Sequence, residues 1–117
     1  MIVVLGNKRV EMSRENFEKT LEKYKSVELD IGTGDGRFVY KNAIINSSTL
    51  FVGIDPAEKQ LEIYSKKAVR KKLTNTLFVI GSVENIPNEL FGTATKIHII
   101  LPWGTLLENI VKPNDKF

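Results

Sequence analysis

The sequence predicts an α/β protein: a parallel sheet with helices on both faces, preceded by an N-terminal β-hairpin. Three observations carry this. Short strand-like runs lie at 27–31, 50–54, 77–80 and 96–101, and the last three lack the polar alternation of a sheet wetted on one side. The stretches between the first three runs repeat apolar residues at spacings of three and four, the helical period. A glycine-rich loop also joins the first run directly to a helical stretch, as in open α/β folds.

The elements follow in order. Ile2–Leu5 and Arg9–Met12 flank Gly6-Asn7, a dipeptide suited to a two-residue hairpin turn. Ser13 is placed to cap a helix from 14 to about 25, with Phe17, Leu21 and Tyr24 on one face and Glu15 four residues before Lys19. A strand is expected over Val27–Ile31, then the loop Gly32-Thr33-Gly34-Asp35-Gly36, then a helix from Arg37 to about Ile45. Leu50–Ile54 reads as a second strand ending at Asp55. Pro56 suits a first helical position, and a helix from Ala57 to about Leu73 carries Leu61, Tyr64 and Ala68 on one face. Further strands are Leu77–Ile80 and Lys96–Leu101, the latter apolar except for His98, read as structural. Pro102-Trp103-Gly104 ends it. Thr105 and Glu108 have capping-box spacing for one more short helix, stopped by Pro113.

Composition removes several classes. The chain has 117 residues, 42% of them hydrophobic, enough for one globular domain and too many for a disordered chain. It has no cysteine, which excludes a disulfide scaffold and a thiolate metal site. No other metal-ligand spacing is present, so no metal is expected. No apolar run approaches the roughly 20 residues of a membrane span. The apolar start at 1–5 is short for a signal peptide and charges follow it, so the expected compartment is the cytoplasm.

The net charge of +3 is unevenly spread. Residues 66–72 read Lys-Lys-Ala-Val-Arg-Lys-Lys, five cations in seven positions, with no acid again before Glu84. Such a block is either a solvated helix face or a surface for a polyanion.

The segment Asp30-Ile31-Gly32-Thr33-Gly34-Asp35-Gly36 is the most informative. A dinucleotide fingerprint needs its third glycine where Arg37 stands, and no Walker lysine follows. A carboxylate at Asp30 opposes a pyrophosphate and suits a cationic ligand instead. Asp55, 19 residues beyond Gly36 at a strand end, is placed to accept both hydroxyls of a ribose, or to cap the next helix.

The acidic-x-G-x-G-x-G pattern resembles the first motif of class I (Rossmann-like) methyltransferases, which use S-adenosylmethionine. Taken with Gly53-Ile54-Asp55-Pro56 and Leu101-Pro102-Trp103-Gly104-Thr105-Leu106-Leu107-Glu108, the chain resembles one family within that class. These are the aminoglycoside-resistance methyltransferases acting on N1 of a decoding-site adenine in small-subunit (16S) ribosomal RNA. The resemblance implies S-adenosylmethionine as cofactor, S-adenosylhomocysteine as product, and the small ribosomal subunit as partner. It implies that Asp30, Gly32, Thr33, Gly34 and Gly36 line the cofactor, that Asp55 and Pro56 hold its ribose, and that Ser82, Val83 and Glu84 border its adenine. Ile100 and Thr105 would close the pocket near the sulfonium. Trp103, beside Pro102, would stack on the flipped target adenine, against the bland reading of a packed aromatic at a strand end. Lys66, Lys67, Arg70 and Lys71 would grip RNA phosphates. A neutral adenine N1 already carries a lone pair, so the absence of an obvious general-base constellation fits.

A class I sheet has seven strands, and only four parallel ones are legible. The expectation is therefore an N-terminal portion of a single methyltransferase domain, with a hairpin at 1–12, a cofactor-binding half at 13–117, and the C-terminal part of the fold absent. The last strand would expose one edge, open to self-association. A small-molecule methyltransferase and an inactive cofactor- or RNA-binding fragment remain alternatives.

Overall fold

The computed structural model describes residues 1–100 and 106–110. The expected turn and stacking residues Pro102, Trp103 and Thr105 lie outside them. The described strands are β1 (Ile2–Leu5), β2 (Lys8–Glu11), β3 (Ser26–Ile31), β4 (Thr49–Asp55), β5 (Thr76–Ile80), β6 (Lys96–Ile100) and β7 (Leu106–Ile110). The helices are α1 (Arg14–Leu21), α2 (Arg37–Ile45) and α3 (Glu58–Arg70), with a 3-10 turn at Asn88–Leu90.

All seven strands form one sheet in the order β2-β1-β5-β4-β3-β6-β7. The inner four, β5-β4-β3-β6, are parallel, while the hairpin at one side and β7 at the other pair antiparallel. β4 is buried along both faces, which explains its unbroken apolar run. On one side α1 packs Phe17 against Leu29, Leu50, Val52 and Ile54. On the other, α2 and α3 pack Val39, Ala43, Leu61 and Ala68 against Phe51 and Phe78. Asn75 donates from its buried amide to the carbonyls of Ala43, Asn46 and Thr49, fixing the turn between α2 and β4. The N-terminal ammonium of Met1 pairs with Glu89 and holds its carboxyl below the usual value.

Several boundaries differ from the sequence reading. Ser13 caps α1 as expected, accepting from Asn16 N–H, but α1 stops at Leu21 because the chain tightens into i→i+3 bonds there. Tyr24 leaves the helix and its hydroxyl donates to the Thr74 carbonyl. Pro56 lies before the helix, whose N-cap is Ala57. α3 ends at Arg70, where Lys72 turns left-handed (φ 57°) and Leu73 N–H reaches the Ala68 carbonyl.

Two expectations are overturned at the last strand. The capping-box segment is not a helix: residues 106–110 form β7, with Leu106 opposite Ile100 and Ile110 opposite Lys96. The free edge expected on β6 is therefore paired along its length by β7. The ladder donors and acceptors of β6 need partners, and that need outweighs a capping signal only a few residues long. No helix among the described residues is long and apolar enough to cross a membrane.

Candidate functional site

The C-terminal ends of β5, β4, β3 and β6 lie side by side, which brings the predicted loops to one sheet edge. Asp30, one residue before the end of β3, is 3% exposed. Its Oδ2 accepts from the Thr33 hydroxyl at 2.7 Å. Burial pushes its carboxyl above the ordinary value, with Thr33 and His98 opposing and Asp55 adding to the rise.

Asp55, at the end of β4, holds the loop from the other side. Its Oδ2 accepts from Gly34 N–H and its Oδ1 from Ala57 N–H, both at 2.9 Å. It thus serves the backbone on both sides, and each oxygen retains acceptor capacity. The two carboxylates face a loop whose glycines differ in purpose. A Cβ on Gly36 would fall 2.4 Å from Phe78 Cε1, and one on Gly32 would fall 2.9 Å from the Ile100 carbonyl oxygen. Those two glycines permit packing within the protein. Only Gly34 (φ 65°) opens outward, meeting nothing nearer than Gln60 Oε1 at 3.8 Å.

The neighbouring ends complete the edge. Ser82 and Asn85 bridge across a turn that carries Val83 and Glu84 outward. Ile100 is 40% exposed at the end of β6, beside Gly32. Thr33 is buried beside Asp30 and supports its carboxylate through that hydrogen bond. Gln60, in the first turn of α3, stands nearest to the open side of Gly34 and was not singled out in the sequence.

The four cations stand apart from this edge. α3 runs back from β4, so Lys66 lies roughly 12 Å along the helix axis from its start. Lys66/Arg70 and Lys67/Lys71 form two adjacent i,i+4 stripes on the outer side. Lys66 Nζ is 3.6 Å from Glu62 Oε1, and Lys67 Nζ lies 4.5 Å over the Tyr64 ring. Arg70 and Lys71 have no side-chain partner among the described residues.

His98 is buried in β6, with Nε2 3.1 Å from Glu28 Oε1. Its Nδ1 lies 2.8 Å from Glu108 Oε1 but out of line for a hydrogen bond. Phe38 packs edge-on against its ring.

Known proteins resemble this chain in sequence and in fold. A protein of Escherichia coli described as 16S rRNA (adenine(1408)-N(1))-methyltransferase is 42% identical over 97% of this chain and 54% of its own length. The crystal structure of a 30S ribosomal methyltransferase from an uncultured bacterium (UncKam) matches with a TM-score of 0.84 and 54% identity, covering 89% of this chain and 51% of that one. A mutant enzyme of the same description from Catenulisporales acidiphilia, solved with cosubstrate SAM, matches with a TM-score of 0.80 and 29% identity, over 90% of this chain and 49% of that one. The chain therefore spans about half the length of the relatives it matches. Residues 2–117 match the NpmA family, described as 16S rRNA (adenine(1408)-N(1))-methyltransferase, and the chain belongs to that family.

Proposed function

We propose that this chain is the cofactor-binding portion of an enzyme that transfers a methyl group from S-adenosylmethionine to N1 of a decoding-site adenine in 16S rRNA, giving aminoglycoside resistance. The observation that carries the reading is the paired acidic site. A buried carboxylate at Asp30 and a loop-anchored carboxylate at Asp55 flank the outward-facing Gly34.

That donor set fits the cofactor. A ligand with an ammonium, a sulfonium and a ribose diol needs carboxylate acceptors and a backbone without side chains to approach; a pyrophosphate needs the reverse. Bound S-adenosylmethionine supplies an electrophilic methyl carbon, so the protein's work is orientation and exclusion of water. Asp30 accepts from the ammonium and Asp55 from the ribose hydroxyls, with Pro56 beside it. Ser82, Val83 and Glu84 border the adenine, and Ile100, with Thr105 outside the described residues, bounds the methyl end. The acceptor N1 is neutral and its lone pair forms the new bond directly, so no general base is required of the chain. The target base leaves its stack, and Trp103, next to Pro102, stacks on it, offsetting roughly 1–3 kcal/mol. Lys66, Lys67, Arg70 and Lys71 hold phosphates of the folded RNA. A ribosomal substrate places the enzyme in the cytoplasm.

The test is methyl transfer from labelled S-adenosylmethionine to isolated 30S subunits, mapped by primer extension, because a methyl on N1 blocks base pairing. A single stop at the decoding-site adenine supports the reading. Cofactor binding without transfer leaves a binding portion that needs the rest of the family's length. Label appearing on small molecules and not on RNA overturns the substrate.

A further inference from the structure

The hairpin and the basic helix meet at a place the paired acidic site does not explain. Ser65 faces inward from α3 and is 2% exposed. Its hydroxyl oxygen accepts from Gly6 N–H at 2.8 Å, and its hydroxyl donates to the Val4 carbonyl at 2.8 Å. One buried side chain thus fastens the entry strand and the first turn residue to the helix. A second fastening lies nearer the start of α3, where Arg9 Nε is 2.9 Å from Glu58 Oε1. The turn uses a left-handed Gly6 (φ 64°) followed by Asn7, and Leu5 pairs with Lys8 across it. Its placement against α3 leaves an open hollow of about 420 Å³ lined by Gly6, Asn7, Lys66, Val69 and Arg70. Two cations one helical turn apart form one wall, and an amide-bearing turn forms the other.

Resting on the ribosomal RNA reading above, we infer that this hollow is a two-walled seat for one backbone phosphate of folded RNA, and that Ser65 is the positioning residue that holds the Asn7 wall opposite Arg70. The chemistry matches. Lys66 offers three donors, Arg70 a planar fork of five, and Asn7 a side-chain amide, all toward a compact anion. Neither Asn7 nor the Arg70 side chain has a partner among the described residues, whereas Lys66 is shared with Glu62. Arg70 is therefore the stronger anchor. The basic block was legible as a charge run, but its second wall is remote in sequence and comes only from the fold.

The experiment measures binding of the chain to 30S subunits across a salt series. Each phosphate contact contributes about −0.7 to −0.9 to the slope of log affinity against log salt. Arg70→Gln reduces the slope by about one contact. Asn7→Asp, which places a negative charge in the hollow without touching Ser65, lowers affinity roughly tenfold and reduces the slope similarly. Ser65→Ala weakens binding several-fold, and Ser65→Ala with Arg70→Gln binds no more weakly than Arg70→Gln alone. A purely structural Ser65 instead lowers the melting temperature and leaves the slope unchanged. If Lys66 and Arg70 substitutions weaken binding while Asn7→Asp behaves as the parent, the seat is wrong and the RNA reading stands. If the unaltered chain ignores subunits, or binds only anionic vesicles, both fall.

Discussion

Asp30 carries a charge that the fold holds at a cost. Its folded carboxyl keeps its proton to a higher pH than the ordinary value of 3.8, because burial disfavours the anion more than Thr33 and His98 favour it. The folded chain then binds more protons than the unfolded chain between those two values. Stability falls as pH rises through that window, and at neutral pH the full penalty remains. Asp30→Asn removes the charge while keeping an oxygen for the Thr33 hydroxyl. It is expected to raise the melting temperature of the ligand-free chain at pH 7 by a few degrees, to flatten its acid-side pH dependence, and to weaken S-adenosylhomocysteine binding at least tenfold. Scanning calorimetry and titration calorimetry on the same sample read both; a variant that is less stable and binds normally refutes the assignment. Asp55→Ala differs in sign. It frees two backbone N–H groups, Gly34 and Ala57, so it costs about 1–2 kcal/mol of stability as well as cofactor affinity, measured by urea unfolding and calorimetry. Both aspartates were legible from position alone, because a strand end before a glycine loop and the next strand end are fixed places in an α/β fold. The direction of the Thr33 side chain depends on how the loop folds over β3 and β4. Only the structure turns it inward, onto Asp30.

Helix ends and turns explain where sequence patterns succeed and where they mislead. α3 closes with Leu73 N–H bonded to Ala68 and Lys72 N–H to Val69, the paired bonds of a Schellman end. Its left-handed position is occupied by Lys72 in place of glycine. Lys72→Gly is expected to stabilise the chain by about 1 kcal/mol, seen as a higher urea midpoint at unchanged slope. The opposite holds at the start of α2. Gly36 is left-handed and abuts Phe78, so Gly36→Ala combines backbone strain with overlap and costs about 3 kcal/mol by the same measurement. The three glycines were recognisable as a loop, yet Gly32 and Gly36 are also dictated by Ile100 and Phe78, contacts made across the sheet and invisible locally, while Gly34 opens outward. The segment at 105–108 failed for a related reason. Its capping spacing is a local signal, whereas β7 is selected by the remote edge of β6, where Glu108 comes opposite His98.

At the scale of the molecule, the strand order decides what this chain does alone. The parallel strands β5, β4, β3 and β6 bring Ser82–Glu84, Asp55, Asp30 and Ile100 to one edge, and all four strands belong to the described fold. Their parallel direction was legible from continuous apolar runs; the hairpin's docking beside β5 was not, since it rests on contacts remote in sequence: Val3 paired with Val79, Val3 and Val4 in the two cores, Ser65, and Arg9 with Glu58. The cofactor contacts proposed here therefore need no residue from the half of the relatives' length that this chain does not span. The cations proposed to contact RNA lie on α3, apart from that edge. Cofactor binding and methyl transfer should then separate. Ligand at 100 times its dissociation constant adds about 2.7 kcal/mol to the folded state. For a chain of 117 residues that corresponds to a rise in melting temperature of about 10 °C. S-adenosylhomocysteine is expected to produce this shift in the isolated chain, and NAD at the same concentration to produce none, because Asp30 repels a pyrophosphate and Arg37 replaces the glycine that a dinucleotide loop requires. A scan showing equal shifts for both ligands refutes the paired-carboxylate site. A scan showing neither means that cofactor binding itself depends on the remaining half.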